Sequence, residues 1–303
     1  MQFRITDADD GITVRAFLAA RIAPSVKMLK YLKYRDDGIL VNGEHVTVRH
    51  RLRTGETLSL ALTDRENSEK LQPVPLDLPI LYEDDDIVVP NKPARMPTHP
   101  SRDHERDTVA NALAFRYREK GIPFVFRPVN RLDRDTSGLL LIARNKLAAG
   151  RLTRAMQSGQ IRKTYIAVLE GDLPAEEGVI DRPLRRSAES IIVREVCSPD
   201  AAGAELSVTH YRVLARGGGC TLAEAHPLTG RTHQLRVHFA SLGHPIVGDD
   251  LYGIPNGRFA RQALHARSLV FPHPATGESM TLSAPIPPDM EELIGVLFPG
   301  VNL

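Results

Sequence analysis

The chain has 303 residues, 42% of them hydrophobic and 25% charged, a globular make-up that excludes disordered, collagen-like and coiled-coil classes. Its 39 Lys and Arg stand against 37 Asp and Glu, so the net charge of +2 does not by itself point to a nucleic-acid partner. The two cysteines, Cys197 and Cys220, are too few and too far apart for a disulfide framework or a Cys-rich zinc site, and they suit a reducing compartment.

Val14, Phe17, Leu18 and Ile22 recur at helical spacing, so residues 11–35 are expected to be helical. Pro24 interrupts the pattern, and Ser25 is expected to cap a second helix over about 26–34, stopped by Gly38. ILVNGEHV reads as a hairpin that turns at Asn42 and Gly43. ETLSLAL closes this unit as a strand ending near Leu62. TDRENSEKLQPVPLDLP, with prolines at 73, 75 and 79, reads as a linker. Beyond it, residues 87–89 are an expected strand, and TVANALAFRYREKG is an amphipathic helix ended by Gly121. Residues 139–143 form an apolar run read as one buried strand. Asn145 caps a helix that ends at Ser158 and Gly159, and KTYIAVLEG is the next strand. SIIV and LSVTHYRVL are β-rich, three glycines at 217–219 turn the chain, and CTLAEAH is a strand. PLTG is a turn, and THQLRVHFASL is a helix stopped by Gly243. The expected fold class is α+β. Residues 1–63 form a small α+β unit, 64–79 a linker, and 80–303 a mixed, mainly antiparallel domain.

No apolar run approaches ~18 residues, so no membrane span is expected. The start, MQFRITDADD, is polar and acidic, unlike a signal peptide. A cytoplasmic protein is expected. Charge is uneven along it. Residues 1–63 carry a net +3, residues 64–100 a net −4, and residues 127–163 a net +7. The near-neutral total hides a strongly basic middle.

The densest polar segment is NRLDRDTSG at 130–138, leading straight into the apolar run. A strand holds a loop end rigidly, which suits a reactive side chain, although the same residues also make an ordinary charged turn. Alternation along KTYIAVLEG puts Lys163 and Tyr165 on one face. HPLTGRTHQLRVHFASLGHPIVGDDLYG sets Arg236 in a helix after a tight turn, and RQALHARSLVFPHP supplies Leu264 and His265. His226, His233, His238 and His244 invite a metal reading. His233 and His238 are five apart, off one helical face, and no Cys or carboxylate completes a set, so no metal is expected. LTGR lacks the GK[ST] element of a phosphate-binding loop. Asp249 and Asp250 read as a loop ending rather than as paired acids.

Together with NKPARMPTHPS at 91–101, these segments resemble the RluA-type family of RNA pseudouridine synthases, over residues 78–290. The resemblance implies that Asp133, in the RLD triplet, is the catalytic carboxylate and that Asp135 is not. It implies that Arg131 enters the RNA stack as the target base leaves, and that Tyr165 packs on the flipped uracil. It implies that Arg236 pairs with Asp133 and that Leu264 walls the base pocket. Two positions depart from the family's pattern: Asn130 stands where His is usual, and Arg95 where Gly is usual. Neither removes a catalytic group. The implied reaction moves ribose from a ring nitrogen to carbon five of the same uracil. It needs no redox step or group donor, so no cofactor is expected. The base must leave the stack, at about a few kcal/mol. A carboxylate then acts at the ribose, as a nucleophile on the anomeric carbon or as a base on its neighbour, and both stay open. A nearby Arg favours the ionised carboxylate that burial disfavours. The Tyr165 hydroxyl offers help in a late deprotonation.

Residues 15–35 carry Arg15, Arg21, Lys27, Lys30, Lys33 and Arg35 with no acid among them. Two short helices before a VNG hairpin resemble the small RNA-binding domain of ribosomal protein S-four. That likeness implies a basic face for phosphates, giving affinity and positioning with little sequence readout. Structured RNA is the expected partner, read by shape. Large-subunit ribosomal RNA is favoured over transfer RNA, and a monomer is expected. The alternative from another class is a non-catalytic RNA-binding or ribosome assembly factor on the same scaffold.

Overall fold

The computed structural model describes residues 1–22, 24, 26–62, 68, 71–253 and 257–303, without the side chain of Lys27. The expected cap at Ser25 and most of residues 63–70 lie outside the described residues.

β1 (Gln2–Arg4), β2 (Ile39–Val41), β3 (Glu44–His45) and β4 (Thr57–Leu60) make an antiparallel sheet in the order β1-β4-β2-β3. Two helices, α1 (Val14–Arg21) and α2 (Val26–Lys33), share its core. Thr13 caps α1, its hydroxyl accepting from the Ala16 amide at 3.2 Å. Val14, Phe17, Leu18 and Ile22 are all buried, as their spacing requires. Asn42 and Gly43 both take positive φ, 50° and 91°, the demand of a tight two-residue hairpin turn. Leu147, far along the chain, also belongs to this core.

The larger sheet draws on β5 (Ile80–Glu83), β6 (Ile87–Lys92), β7 (Ser137–Leu139), β8 (Ile142–Ala143), β9 (Arg162–Glu170) and β10 (Glu177–Asp181). A separate hairpin, β11 (Leu184–Arg186) with β12 (Arg194–Val196), precedes β13 (Val208–Gly217) and β14 (Cys220–Pro227), which rejoin the sheet with β15 (Leu264–Pro272) and β16 (Ser279–Ser283). Its order is β10-β13-β14-β9-β15-β7-β6-β5, with β16 on β15 and β8 on β6. Among the described residues its pairs are antiparallel except β7 with β15. Helices α3 (Val109–Glu119), α5 (Gln234–Ser241) and α6 (Pro288–Leu297) cover one face through Leu113, Tyr117, Phe239 and Met290. The other face takes α4 (Lys146–Gln157), whose Ala148, Leu152 and Ala155 meet Leu139, Leu141 and Phe271. The fold is therefore α+β with a mixed, mainly antiparallel sheet.

Two local expectations are corrected. Residues 139–143 are two short strands, not one. Asn130 splits them, its amide nitrogen donating to the Leu139 carbonyl at 3.2 Å and its oxygen accepting from the Leu141 amide at 2.7 Å. SIIV is not a strand; Ile191 and Ile192 sit exposed, and pairing begins only at Arg194. The described part of the expected linker, residues 71–79, packs on the large domain. Val74 donates to the Asn111 carbonyl, Asn91 donates to that of Pro79, and Leu71 and Leu78 pack on the large core. No helix among the described residues is long and apolar enough to cross a membrane.

Candidate active site

Asp133 lies in the loop between α3 and β7, and nearly every neighbour in that loop is fastened. Leu132 is buried, and the Thr98 hydroxyl both donates to its carbonyl (2.8 Å) and accepts from its amide (3.3 Å). The Thr136 amide donates to the Asp133 carbonyl at 3.2 Å, closing a tight turn. Lys92, at the end of β6, is fully buried, and its ammonium donates to the carbonyls of Pro93, Met96 and Arg134, each at 2.8 Å. Burial pulls the Lys92 pKa down to about 7, against the opposing charges of Asp135 and Asp133. Nothing in the sequence pattern singled out Lys92, because its partners are carbonyls that only the fold gathers. Gly138 has φ 111°, and a Cβ there would lie 2.3 Å from the Ala266 carbonyl oxygen, so glycine alone lets β7 close on β15.

Arg236 projects from α5, whose first turn is entered through His233 in the left-handed region, φ 58°. The guanidinium is buried and donates twice to Asp249, at 2.7 Å each, and once to Asp250 at 3.0 Å. Its Nη1 stands 3.6 Å from Asp133 Oδ2, an ion pair too long for a hydrogen bond. Arg236 therefore faces Asp133 while Asp249 holds it in place. Burial opposes the charge on Arg236, but the carboxylates of Asp249, Asp133 and Asp250 outweigh it and keep the guanidinium charged. Asp249 does not end a loop: it lies within the irregular stretch between α5 and β15, where it accepts from the Leu251 and Tyr252 amides at 3.0 Å, and it is the principal partner of Arg236. That second role depends on a residue 13 positions earlier on α5.

Tyr165 and Lys163 share one face of β9, and both are buried. Lys163 Nζ donates to the Thr229 carbonyl at 3.0 Å and so ties down the PLTG turn before α5. Across the sheet, Ala266 pairs with Tyr165 and Leu264 with Ala167. Leu264 and Tyr165 are thus diagonal neighbours on one face. Burial first, and the charge of Asp133 second, push the Tyr165 pKa up, so its hydroxyl is held as the phenol. Arg131 is exposed and makes no ion pair or side-chain hydrogen bond among the described residues. The fold thus gathers Asp133, Tyr165, Arg236 and Leu264, with Arg131 at the rim. The four histidines do not cluster: His226 bonds Glu224, His233 bonds Tyr252, His238 bonds Thr209, and His244 bonds the Glu170 carbonyl.

Residues 86–241 match the family model described as RNA pseudouridylate synthase. The chain belongs to this family. It is an isomerase that acts on RNA. The RNA pseudouridine synthase YjbO of Bacillus subtilis (strain 168) is 40% identical over 285 residues, spanning 93% of this chain and 98% of its own length. Ribosomal large subunit pseudouridine synthase D of Vibrio cholerae is 40% identical over 272 residues, spanning 84% of this chain and 82% of its own. The solved human RNA Pseudouridylate Synthase Domain Containing 1 aligns with a TM-score of 0.60 at 33% identity, over 75% of this chain and 90% of that one.

The basic residues of this pseudouridine synthase's first unit lie apart from that site, on α1 and α2 and just beyond. Arg15, Lys30 and Lys33 are exposed. Arg21 pairs with Asp9 at 3.2 Å. Arg35 pairs with Asp37 at 2.9 Å and lies over the Tyr31 ring, 4.9 Å from its centroid. The side chain of Lys27 lies outside the described residues. A stretch with no acid in sequence is thus partly neutralised by acids from either side of it.

Proposed function

We propose that this enzyme isomerises uridines in structured RNA of the large ribosomal subunit, with Asp133 as the catalytic carboxylate. One observation carries the reading. Asp133 opens partly to solvent 3.6 Å from the Arg236 guanidinium, and Tyr165 and Leu264 stand together on the adjoining strand face. The likeness to relatives named Ribosomal large subunit pseudouridine synthase D supports the choice of RNA.

The target uridine leaves the stack, and Arg131 fills the gap. The uracil lies on Tyr165 and Leu264. Asp133 acts at the ribose, as a nucleophile or as a base, with Arg236 as its counter-charge. The bond from ribose to nitrogen breaks, the base turns, and ribose bonds to carbon five. The hydrogen on that carbon leaves as a proton and the freed nitrogen gains one, so the product is an isomer. The chemistry asks for no cofactor. Residues 1–63 serve as an RNA-holding unit similar to that of ribosomal protein S-four, offering Arg15, Lys27, Lys30 and Lys33 to phosphates. The enzyme works as a cytoplasmic monomer.

The test is Asp133→Asn. Isomerisation should vanish while RNA binding persists, and wild-type turnover in that variant sinks the reading. Mapping pseudouridines in cellular RNA with and without this gene identifies the target. Losses confined to transfer RNA would move the substrate there, and no loss at all would favour a non-catalytic RNA-binding factor.

A further inference from the structure

Arg261 precedes β15 and makes five hydrogen bonds. Its side chain is 4% exposed. Nε and Nη2 grip the two oxygens of Asp289 at 2.7 and 2.9 Å, in the first turn of α6. Nη1 reaches the opposite way, to the carbonyls of Asp135 (3.0 Å), Gln262 (3.1 Å) and Leu264 (3.4 Å). The next residue adds a second strap, the Gln262 amide donating to the Thr136 hydroxyl at 3.2 Å. The backbone of Arg261 is engaged as well. A Cβ on Gly248 would lie 2.2 Å from the Arg261 carbonyl oxygen, so the loop carrying Asp249 rests directly on it.

One residue therefore touches three segments: the loop of Asp133, the strand end of Leu264, and the loop whose Asp249 holds Arg236. A guanidinium buried this deeply is strongly unfavourable without a carboxylate partner. Asp289 supplies that partner, at a helix N-terminus where negative charge is favoured. Burial resists the Asp289 charge, and its bonds to Arg261 more than restore it, so its pKa falls below the ordinary carboxylate value. A lysine cannot replace this geometry, because only a planar fork serves a carboxylate and a set of carbonyls from opposite edges.

We propose that Arg261, held by Asp289, is a positioning residue for the isomerisation, which makes α6 part of the catalytic assembly. It sets the Asp133 loop against Leu264 and the Arg236 anchor, and it acts through Asp133. The proposal rests on the reading of Asp133 as the catalytic carboxylate.

The experiment compares Arg261→Gln, Arg261→Lys and Asp289→Asn in the full chain on one substrate RNA. Each is scored as kcat per folded molecule, with the folded fraction taken from melting at the assay temperature. A displacement of about 1 Å near a reacting group is enough for a loss of roughly 100-fold. Arg261→Gln should lose about that factor in kcat with KM and RNA affinity within about twofold of wild type, as expected for a step-specific defect. Asp289→Asn should lose less, about 10-fold, because the three carbonyl bonds remain. Arg261→Lys should recover part of the loss. Unchanged kcat per folded molecule in Asp289→Asn and Arg261→Lys overturns the proposal, as does a rise in KM at constant kcat. If Arg261→Gln fails to fold, Asp289→Asn decides, since that carboxylate is 46% exposed. Asp133→Asn runs beside them. Turnover in that variant removes the carboxylate reading itself, whereas an inactive Asp133→Asn beside a fully active Asp289→Asn removes only the role of Arg261.

Discussion

Arg236, Arg261 and Lys92, the three cations that brace the Asp133 site from within the fold, are buried, while Arg15, Lys30 and Lys33 on α1 and α2 are exposed. Arg236 has three carboxylates near it, Arg261 has Asp289, and Lys92 has three carbonyls. Arg15, Lys30 and Lys33 reach solvent instead. The contrast follows from dielectric. A buried charge is tolerated only with fixed partners, so its position is determined to a fraction of an ångström. An exposed charge keeps its rotamers and is screened within about 8–10 Å by salt. On the function proposed above, the first kind suits aim at a single atom of ribose. The second suits a grip on a phosphate chain whose position varies.

The largest test of this contrast is Asp249→Ala, which leaves the Arg236 guanidinium buried without its bidentate partner. Denaturant unfolding should show a loss of about 3–5 kcal/mol. A loss below about 1 kcal/mol would mean that Asp250 and Asp133 suffice, and that burial there is not demanding. A second, somewhat smaller effect concerns pH. His265 is fully buried beside the Ser137 hydroxyl, at 2.9 Å, and burial pulls its pKa from 6.5 to about 4. The folded protein thus refuses a proton that the unfolded chain accepts below pH 6.5. The stability linked to this group is complete above pH 6.5 and is lost as pH falls towards 4, by up to about 3 kcal/mol. Unfolding at pH 7, 5 and 4 should show a shallower acid decline in His265→Gln than in wild type, and parallel curves would refute the assignment. The mildest change is on the exposed side. Lys30→Ala combined with Lys33→Ala should shift stability by no more than about 0.5 kcal/mol. The slope of log affinity against log salt should become shallower by about 2, one per phosphate contact. An unaltered slope would mean that α2 does not touch phosphate.

What could be read from the sequence divides along a related line. Local signals were legible: the Asn145 cap of α4, the Asn42 and Gly43 turn, and the buried stripe of α1 all stand in the structure. The convergence of Asp133, Tyr165 and Arg236 was legible only because three separated segments resembled one family together. The break inside 139–143 was not legible, since it depends on an asparagine about ten residues away bonding the backbone on both sides of the break. Arg261 and Lys92 escaped for a similar reason. Their partners lie up to 126 residues off and include backbone carbonyls, which have no signature in the letters of a sequence. SIIV misled because β-branched composition fits an exposed hairpin tip as well as a strand.

Leu147 ties the first sheet to the larger one. It belongs to α4, which covers the back of the catalytic sheet, yet it fills the core beneath β1 to β4. Beside it, Lys146 Nζ stands 3.2 Å from the centroid of the Tyr31 ring on α2, and Arg151 donates to the Arg21 carbonyl at 3.5 Å. The first unit is therefore seated on α4 rather than strung on a tether. On the function proposed above, α4 becomes a gauge. The span from a gripped phosphate to Asp133 is set by the protein, and a uridine qualifies when the fold of its own RNA presents that same span.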